Sequence, residues 1–283
     1  MFADDNIDPG RLSGYSFASR KEPEFMCHRL VQCPTCDLVY ADEPPGDNEL
    51  AHAYHVANYD SAEEADDAAK AYIRAVQPTL SCLRRREAAL EIGAGTGVFL
   101  EHLARAGFTK LVGVEPSAAA IAAAPEHRRV WIREAMFHEE EFAPESFDLV
   151  CCFMTMEHVR DPESVARSAR RLLRPGGAFV AVTHDYRSLA NRVLGRRSPI
   201  IDIEHMQLFS RRSIRYLLES CGYSGVTVNA FRNTYSLRYW TRLAPLPRGV
   251  KQGLLRLMAA VGMDQAKIGL NVGNLIAAGF RNA

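Results

Sequence analysis

The sequence predicts an α/β fold built around a mostly parallel sheet. Short apolar runs that read as buried strands alternate with helical stretches. These runs cover residues 88–92, 110–114, 147–153 and 178–182. The first run ends in a turn with glycine at every second position, and a helix is predicted from Val98. Repetition of this strand, turn and helix order is typical of a sheet whose strands run in one direction.

The glycine-rich turn predicts a ligand site. Gly93, Gly95 and Gly97 allow positive φ and a close approach to a ligand, because they carry no Cβ. The N–H groups of the next helix point to the same place. The G-x-G-x-G spacing, with Glu91 before it, differs from the G-x-G-x-x-G of dinucleotide sites. The second strand ends at Glu115, where a carboxylate can accept hydrogen bonds from both hydroxyls of a ribose.

Four longer motifs follow one another over residues 86–183: LEIGAGTG, VGVEPS, FDLVCCFMTMEHVRDP and LLRPGGAFVAV. In order and spacing they resemble the motifs of class I S-adenosylmethionine-dependent methyltransferases. The resemblance implies a Rossmann-like, seven-stranded, mostly parallel sheet with helices on both faces and an antiparallel last strand. It also implies S-adenosylmethionine as the cofactor. The cofactor-binding residues that it implies are Glu91, Gly93, Ala94, Gly95, Gly97, Glu115, Pro116, Glu134, Ala135 and Phe153.

One part of this set departs from the family pattern. In the family, the glycine loop holds the methionine part of the cofactor and the acidic strand end holds the ribose. Glu134 and Ala135 stand where the neighbours of the adenine are expected, but the usual aspartate is absent.

Length and composition fit one α/β domain with additions. The chain has 283 residues, of which 47% are hydrophobic, enough for a large core. It has no run of 18 apolar residues, so we expect no transmembrane helix. The seven cysteines, an odd number without a secretion signal, predict reduced thiols and a cytoplasmic location. Cys151 and Cys152 are expected in the core.

The charge is balanced overall but unevenly distributed. The chain has 34 basic and 34 acidic residues, yet residues 184–256 contain 13 basic and only four acidic ones. This asymmetry predicts an anionic partner, which is a phosphate, a carboxylate or a lipid surface. The alternative is that the arginines lie on solvated helix faces. No nucleic-acid-binding module is recognisable, so we expect no nucleic acid partner. The oligomeric state stays open.

The N-terminal segment contains half of a zinc knuckle. Cys33 and Cys36, in the sequence C-P-T-C, have the spacing that places two thiolates on one metal. A tetrahedral zinc site needs four ligands, and a second C-x-x-C pair is missing. The segment resembles a degenerate form of the zinc ribbon in some sugar and natural-product methyltransferases. Either the site is a remnant or the start of the chain has been placed too late, and we predict no metal ligands.

The sequence divides into five parts. These are an N-terminal extension with the half knuckle (1–46), a helical cap (47–85), the methyltransferase core (86–230), a helical lid insertion (231–274) and the last core strand with the C-terminus (275–283). Pro78 is expected to interrupt the helix of the cap. The insertion mixes aromatic, aliphatic and basic residues. It is expected to cover a hydrophobic acceptor or to touch membrane lipid, and packing within a subdomain is the alternative.

Two Glu-His pairs are candidates for the chemistry, because an oxygen or carbon nucleophile needs a base during methyl transfer. Glu157-His158 follows the third strand. It resembles a family pattern in which the carboxylate binds the N–H groups of the next helix, so a structural role is favoured. Glu204-His205 lies in an E-H-x-x-x-F-S element that resembles a substrate-facing segment of small-molecule and sugar methyltransferases. We predict His205 as the base, oriented by Glu204.

The end of the fourth strand supplies two further catalytic candidates, His184 and Asp185, because ligands of open α/β sheets lie beyond the carboxyl ends of the strands. The predicted function is methyl transfer from S-adenosylmethionine to a small-molecule or glycan-precursor acceptor, by O-methylation with His205 as base. One alternative is C-methylation by the Glu204-His205 pair. Another is a protein of the same fold that binds S-adenosylmethionine without methylating.

Overall fold

The computed structural model describes residues 1–18, 23–59 and 61–282. Its strands are β1 (Leu30–Gln32), β2 (Val39–Ala41), β3 (Ala88–Ile92), β4 (Lys110–Glu115), β5 (Ile132–Glu134), β6 (Phe147–Phe153), β7 (Leu173–His184), β8 (Gln207–Leu208), β9 (Ser224–Ser236) and β10 (Lys267–Phe280). Its helices are α1 (Asp47–Val56), α2 (Ala62–Cys82), α3 (Val98–Arg105), α4 (Ala118–Ala123), α5 (Glu126–Arg129), α6 (Pro162–Leu172), α7 (Leu189–Leu194), α8 (Arg211–Ser220), α9 (Leu237–Leu243) and α10 (Arg248–Ala260).

Seven strands form the main sheet, in the order β5-β4-β3-β6-β7-β10-β9. The first five run parallel, and β10 runs antiparallel to both β7 and β9. This arrangement confirms the predicted fold class, including the antiparallel last strand. Because β3, β4, β6 and β7 are parallel, their carboxyl ends meet at one edge of the sheet, where open α/β folds bind their ligands.

The sheet is covered on both faces, so its central strands are apolar throughout. All seven residues of β6 are buried, and successive side chains pack into different clusters. Cys151 packs towards the side of α2 and α3, and Cys152 towards the side of α6 and α8. Both are 0% exposed, which confirms their predicted place in the core. Among the described residues, no helix combines the length and apolar character that crossing a membrane requires.

The helix α2 differs from the sequence interpretation. It continues through Pro78 to Cys82, so the predicted interruption is wrong. Proline removes one backbone hydrogen bond, but Thr79 and Leu80 of the last turn are buried, and this packing holds the turn in place.

The strands β9 and β10 are longer than the apolar runs 226–230 and 275–280 suggested. Their pairing continues as far as Ser236 opposite Lys267. The insertion therefore begins as a two-stranded ribbon that extends from the sheet, with the helical hairpin of α9 and α10 at its end.

A second, small sheet joins the N-terminal extension to the region of the predicted base. Its order is β1-β2-β8, and Tyr40 pairs with Gln207, two residues after His205. The turn between β1 and β2 carries the buried Asp37, which has a φ of +75°. Its carboxylate accepts a hydrogen bond of 2.7 Å from Tyr186 Oη, in the segment after β7. The extension is thus packed onto the core beside the segment that follows β7 and beside β8.

Candidate functional site

The carboxyl ends of the parallel strands open into a cavity of about 940 Å³. Most of the residues predicted for the site line this cavity: Glu91, Gly93, Ala94, Gly95, Glu115, Pro116, Ala135, Phe153, His184, Glu204 and His205. Within the described part of the chain, Gly97, Glu134 and Asp185 are not among its lining residues. The cap and the insertion complete the walls with aromatic side chains, among them Tyr54, Tyr59, Tyr239 and Trp240.

The glycine loop leaves room for a ligand at one end of the cavity. Gly93, Gly95 and Gly97 have φ values of +76°, +53° and +67°, so each needs the freedom of glycine. A Cβ on Gly93 would lie 2.2 Å from Thr155 Oγ1, which no side chain tolerates. A Cβ on Gly95 would meet no atom within 4 Å, because the space beside Gly95 belongs to the cavity. The loop is therefore a cradle whose open side faces the cavity.

Glu115 is fixed at the end of β4 in the position predicted for a ribose carboxylate. Its Oε2 accepts a hydrogen bond of 2.7 Å from Gly95 N, and its Oε1 accepts one of 2.8 Å from Ser117 N. Burial raises the pKa of Glu115, and these two backbone hydrogen bonds oppose that rise. The carboxylate is thus held in one orientation beside the glycine loop, with both oxygens able to accept a further hydrogen bond.

Three imidazoles meet at the same cavity. His158 follows β6, His184 ends β7, and His205 precedes β8. The ring centroid of His205 lies 4.9 Å from that of His158 and 5.7 Å from that of His184. The carboxylates of Glu157 and Glu204 flank this group. We call these five residues the histidine cluster.

His184 is held by Glu157. Glu157 Oε1 accepts hydrogen bonds from His184 N at 2.7 Å and from His184 Nδ1 at 3.2 Å. Burial acts to raise the pKa of Glu157, but the hydrogen bond from His184 and the three neighbouring imidazoles together outweigh burial and lower it. With Nδ1 donating to the carboxylate, Nε2 of His184 carries the lone pair that a general base needs.

This contact corrects one expectation. We expected Glu157 to bind the N–H groups at the start of the next helix. The helix α6 is instead capped by Asp161, whose side chain accepts a hydrogen bond from Ser164 N. The expectation is wrong because Glu157 lies four residues before the N-cap Asp161 and its side chain contacts His184 at the end of β7. A sequence signal for the true partner exists, since Glu157 and His184 follow adjacent parallel strands.

His205 is oriented by the backbone. Its Nδ1 lies 2.8 Å from the carbonyl oxygen of Ile200, and a carbonyl only accepts, so Nδ1 carries the proton and Nε2 the lone pair. Glu204 Oε1 lies 4.0 Å from this Nε2. His205 is only 8% exposed. In its neutral form the predicted base therefore carries its lone pair on Nε2, which lies beside a carboxylate in the wall of the cavity.

His158 is the histidine of the cluster that stays neutral. Its Nδ1 shares a hydrogen bond of 3.1 Å with Tyr54 Oη from the cap and lies 3.9 Å from Glu204 Oε2. Burial, and after it the charge of His205, lower the pKa of His158 to about 3. At neutral pH this side chain is an uncharged hydrogen-bonding group.

The burial of His158 predicts a pH-dependent stability. The pKa of His158 is about 3 in the folded chain and has the ordinary value of 6.5 in the unfolded chain. Between these two pH values the imidazole is therefore protonated in the unfolded chain and neutral in the folded one. We expect its contribution to be complete above pH 6.5 and to fall by roughly 1.4 kcal/mol per pH unit below that. Urea unfolding at several pH values checks this. The variant His158→Asn should lose stability less steeply towards acid pH, and parallel profiles would contradict the assignment.

Three other predicted groups lie away from the cavity. Asp185 accepts a hydrogen bond of 3.0 Å from Arg187 N, and its Oδ2 lies 3.9 Å from Arg211 Nε. Glu134 is exposed and lies 3.5 Å from His55 Nδ1. In residues 1–18, 23–59 and 61–282, the cysteines of the half knuckle belong to no group of three metal-binding side chains. His158, Glu204 and His205 do form such a group, with ligand atoms within 4.8 Å of one another.

Comparison with known proteins assigns this fold and site to a family. Residues 61–228, more than half of the chain, match the family described as "Methyltransferase domain". The chain is 31% identical over 159 residues to a ubiquinone biosynthesis O-methyltransferase of Ralstonia nicotianae, covering 51% of this chain and 64% of that protein. It is 36% identical over 94 residues to the protein of the same name from Pseudomonas syringae pv. tomato, covering 31% and 40%. The chain thus spans less than two thirds of these relatives' length.

Solved structures share the fold at low sequence identity. A SAM-dependent methyltransferase of Thermotoga maritima superimposes with a TM-score of 0.50 and 21% identity, covering 75% of this chain and 90% of that one. A SAM-dependent methyltransferase of Archaeoglobus fulgidus gives 0.51 and 15%, covering 75% and 94%.

The chain belongs to the methyltransferase domain family, and its fold is that of the class I enzymes, as the motifs predicted. Its cofactor is S-adenosylmethionine. The residues present fit this molecule, since the glycine cradle has an open side and Glu115 is fixed beside it as an acceptor for two hydroxyls.

Proposed function

We propose that the chain transfers a methyl group from S-adenosylmethionine to a hydroxyl oxygen of a small-molecule acceptor, with His205 as the general base. The observation that carries this proposal is the histidine cluster. It shares a cavity with the glycine cradle, and the hydrogen bond from Nδ1 of His205 to the carbonyl oxygen of Ile200 orients this imidazole, with Nε2 beside Glu204. The relatives named as O-methyltransferases support oxygen as the nucleophile.

In this mechanism the protein contributes position, a base and exclusion of water. The glycine cradle and Glu115 hold the cofactor, which supplies an electrophilic methyl group. The acceptor occupies the space between the cradle and the histidine cluster. His205 Nε2 would take the hydroxyl proton of the acceptor as its oxygen receives the methyl group, and the cofactor would supply that group and be released as S-adenosylhomocysteine. Tyr54 and Trp240 close the walls of the cavity around the reacting groups.

Carbon methylation is the second candidate. His184 Nε2 also carries a lone pair, because Glu157 accepts from Nδ1. An imidazole whose neutral form carries its lone pair on Nε2 can remove the one proton that C-methylation releases, either before or after the carbon–carbon bond forms. A glycan precursor remains a candidate acceptor on the same ground. In both reactions Glu204 lies beside the base, and its charge stabilises the imidazolium that forms.

Product analysis tests the proposal. The purified chain is incubated with S-adenosylmethionine labelled with ¹³C in the methyl group and with phenols, catechols and sugar nucleotides in turn. We expect S-adenosylhomocysteine from a phenolic or catecholic acceptor, and an NMR shift of the labelled carbon typical of a methyl ether. A shift typical of a C-methyl group would favour the second candidate. Cofactor binding without turnover of any acceptor would contradict methyl transfer.

Removal of metal ions is expected to leave the activity unchanged. The group His158, Glu204 and His205 offers a divalent ion three ligands, but Nδ1 of His158 and Nδ1 of His205 already take part in hydrogen bonds. Glu204 Oε2 lies 3.9 Å from His158 Nδ1, and Glu204 Oε1 lies 4.0 Å from His205 Nε2. We therefore expect the same rate before and after dialysis against EDTA. A loss of activity that Mn²⁺ or Mg²⁺ restores would show a metal-assisted reaction instead.

A further inference from the structure

The helix α10 presents an aliphatic stripe to solvent. Val250, Leu254, Leu257 and Val261, which immediately follows the helix, are 52%, 39%, 61% and 59% exposed. Their spacing of four, three and four residues places them on one helix face. The neighbouring face carries Lys251, which is 8% exposed and donates a hydrogen bond of 2.8 Å to the carbonyl oxygen of Arg242 in α9. The contact of Lys251 shows which side of α10 packs on α9, and the aliphatic stripe is not on that side.

The same hairpin is basic and contains no acidic residue. Residues 237–263 include four arginines and one lysine, and neither aspartate nor glutamate occurs among them. Arg238 pairs with Glu63 at 3.0 Å, whereas Arg248 and Arg256 lie exposed on the polar side of α10, away from the aliphatic stripe. Exposed aliphatic side chains among positive charges are characteristic of helices that lie in the surface of a bilayer.

We infer that α10 docks on an anionic lipid bilayer, with its aliphatic stripe at the level of the acyl chains and Arg248 and Arg256 at the headgroups. Charge complementarity selects this occupant. A second copy of the chain would bring together two hairpins that each carry five basic and no acidic residues, so that two positively charged surfaces would approach each other. A surface of negatively charged headgroups attracts these arginines instead.

The position of the hairpin connects docking to the cavity. Tyr239, Trp240 and Leu243 of α9 line the cavity wall, and α10 packs on α9. Trp240 Nε1 donates a hydrogen bond of 3.0 Å to the carbonyl oxygen of Ile268, which fixes α9 to the ribbon of β9 and β10. A docked α10 therefore holds this wall next to the bilayer. Resting on the proposed methyl transfer, we assign the acceptor to the class of membrane-soluble molecules.

A second element at the cavity shows the same pattern. The helix α7 exposes Leu189 (78%) and Val193 (76%), four residues apart on one face. Arg192 lies exposed on the same helix, and Arg196 and Arg197 follow directly after it. The helix contacts β10, and Pro199 and Ile200 line the cavity soon after the helix ends.

Vesicle sedimentation of the full chain tests the inference. Vesicles of phosphatidylcholine alone are compared with vesicles that also contain phosphatidylglycerol, at low and high salt. We expect binding to the anionic vesicles only, and weaker binding at high salt. Leu257→Asp should abolish binding, and Arg256→Gln should weaken it about fivefold. Val130→Asp, on an equally open residue that is 77% exposed near α5, is the matched control and should bind as the wild type does.

Several results would overturn the inference. Failure to sediment with anionic vesicles would do so, and so would equal binding by Leu257→Asp and the wild type. A dimer in light scattering that Leu257→Asp dissociates would assign the stripe to a second copy. Binding is measured without turnover, so its failure leaves the proposed methyl transfer untouched. Leu257→Asp should retain the wild-type rate on a water-soluble acceptor, which separates docking from catalysis.

Discussion

Gly93→Ala is expected to weaken binding of S-adenosylmethionine roughly 100-fold. The added Cβ would lie 2.2 Å from Thr155 Oγ1 and 3.0 Å from its Cγ2, and the residue would keep a φ of +76°. Positive φ costs a non-glycine residue about 1–2 kcal/mol, and overpacking costs roughly 1–3 kcal/mol more. The loop can relieve this only by moving, and the cradle is then lost. A cost of about 3 kcal/mol raises the Kd roughly 100-fold, which calorimetric titration with the cofactor measures.

Gly107→Ala provides the control for backbone strain. Gly107 has a φ of +102°, and a Cβ there would meet no atom within 4 Å. This variant loses some stability, but we expect it to bind the cofactor with the affinity of the wild type. If Gly93→Ala also bound the cofactor normally, the loop would not be the cofactor site.

His205→Ala should lower kcat by about 100-fold or more while the affinity for the cofactor stays the same. The imidazole is not part of the glycine cradle or of the contacts of Glu115, so its loss removes the proton acceptor and leaves the proposed cofactor contacts intact. Steady-state kinetics together with cofactor titration separate these effects. An unchanged kcat would refute the role of His205 as base.

Two further variants show which imidazole takes the proton. His184→Ala and Glu157→Gln both remove the arrangement that fixes the lone pair on His184 Nε2. If His205 is the base, these variants should affect kcat less than His205→Ala does. His127→Ala is the control, because that side chain is 61% exposed and lies outside the cavity. A larger loss with His184→Ala than with His205→Ala would transfer the role to His184.

The cofactor half of the site was predictable because it is built from neighbouring parts of the chain. Glu91, the glycine turn and Glu115 lie within 25 residues, and buried strands hold them. The start of α8 is set by local chemistry in the same way, since Ser210 is its N-cap and forms a capping box with Ser213. Local hydrophobic pattern and capping chemistry suffice for such elements.

The acceptor half was only partly predictable, because it depends on contacts between distant segments. His184 was predicted from its place at the end of an apolar strand, and His205 from the E-H-x-x-x-F-S element. The contacts of Glu157 with His184, and of Tyr54 with His158, link residues 27 and 104 positions apart. They follow from the adjacency of β6 and β7 and from the packing of the cap. The hydrophobic pattern predicts the strands β6 and β7, but it does not predict which side chains at their ends form hydrogen bonds with each other.

The small sheet has a consequence for the order in which the two halves of the cavity arise during synthesis. Tyr40 pairs with Gln207, 167 residues later. At 5–20 residues per second, β2 leaves the ribosome roughly ten to thirty seconds before its partner strand. The glycine cradle and Glu115, by contrast, come from one continuous stretch of chain. The nascent protein therefore completes its cofactor end first, and His205 reaches its place only when β8 closes the small sheet.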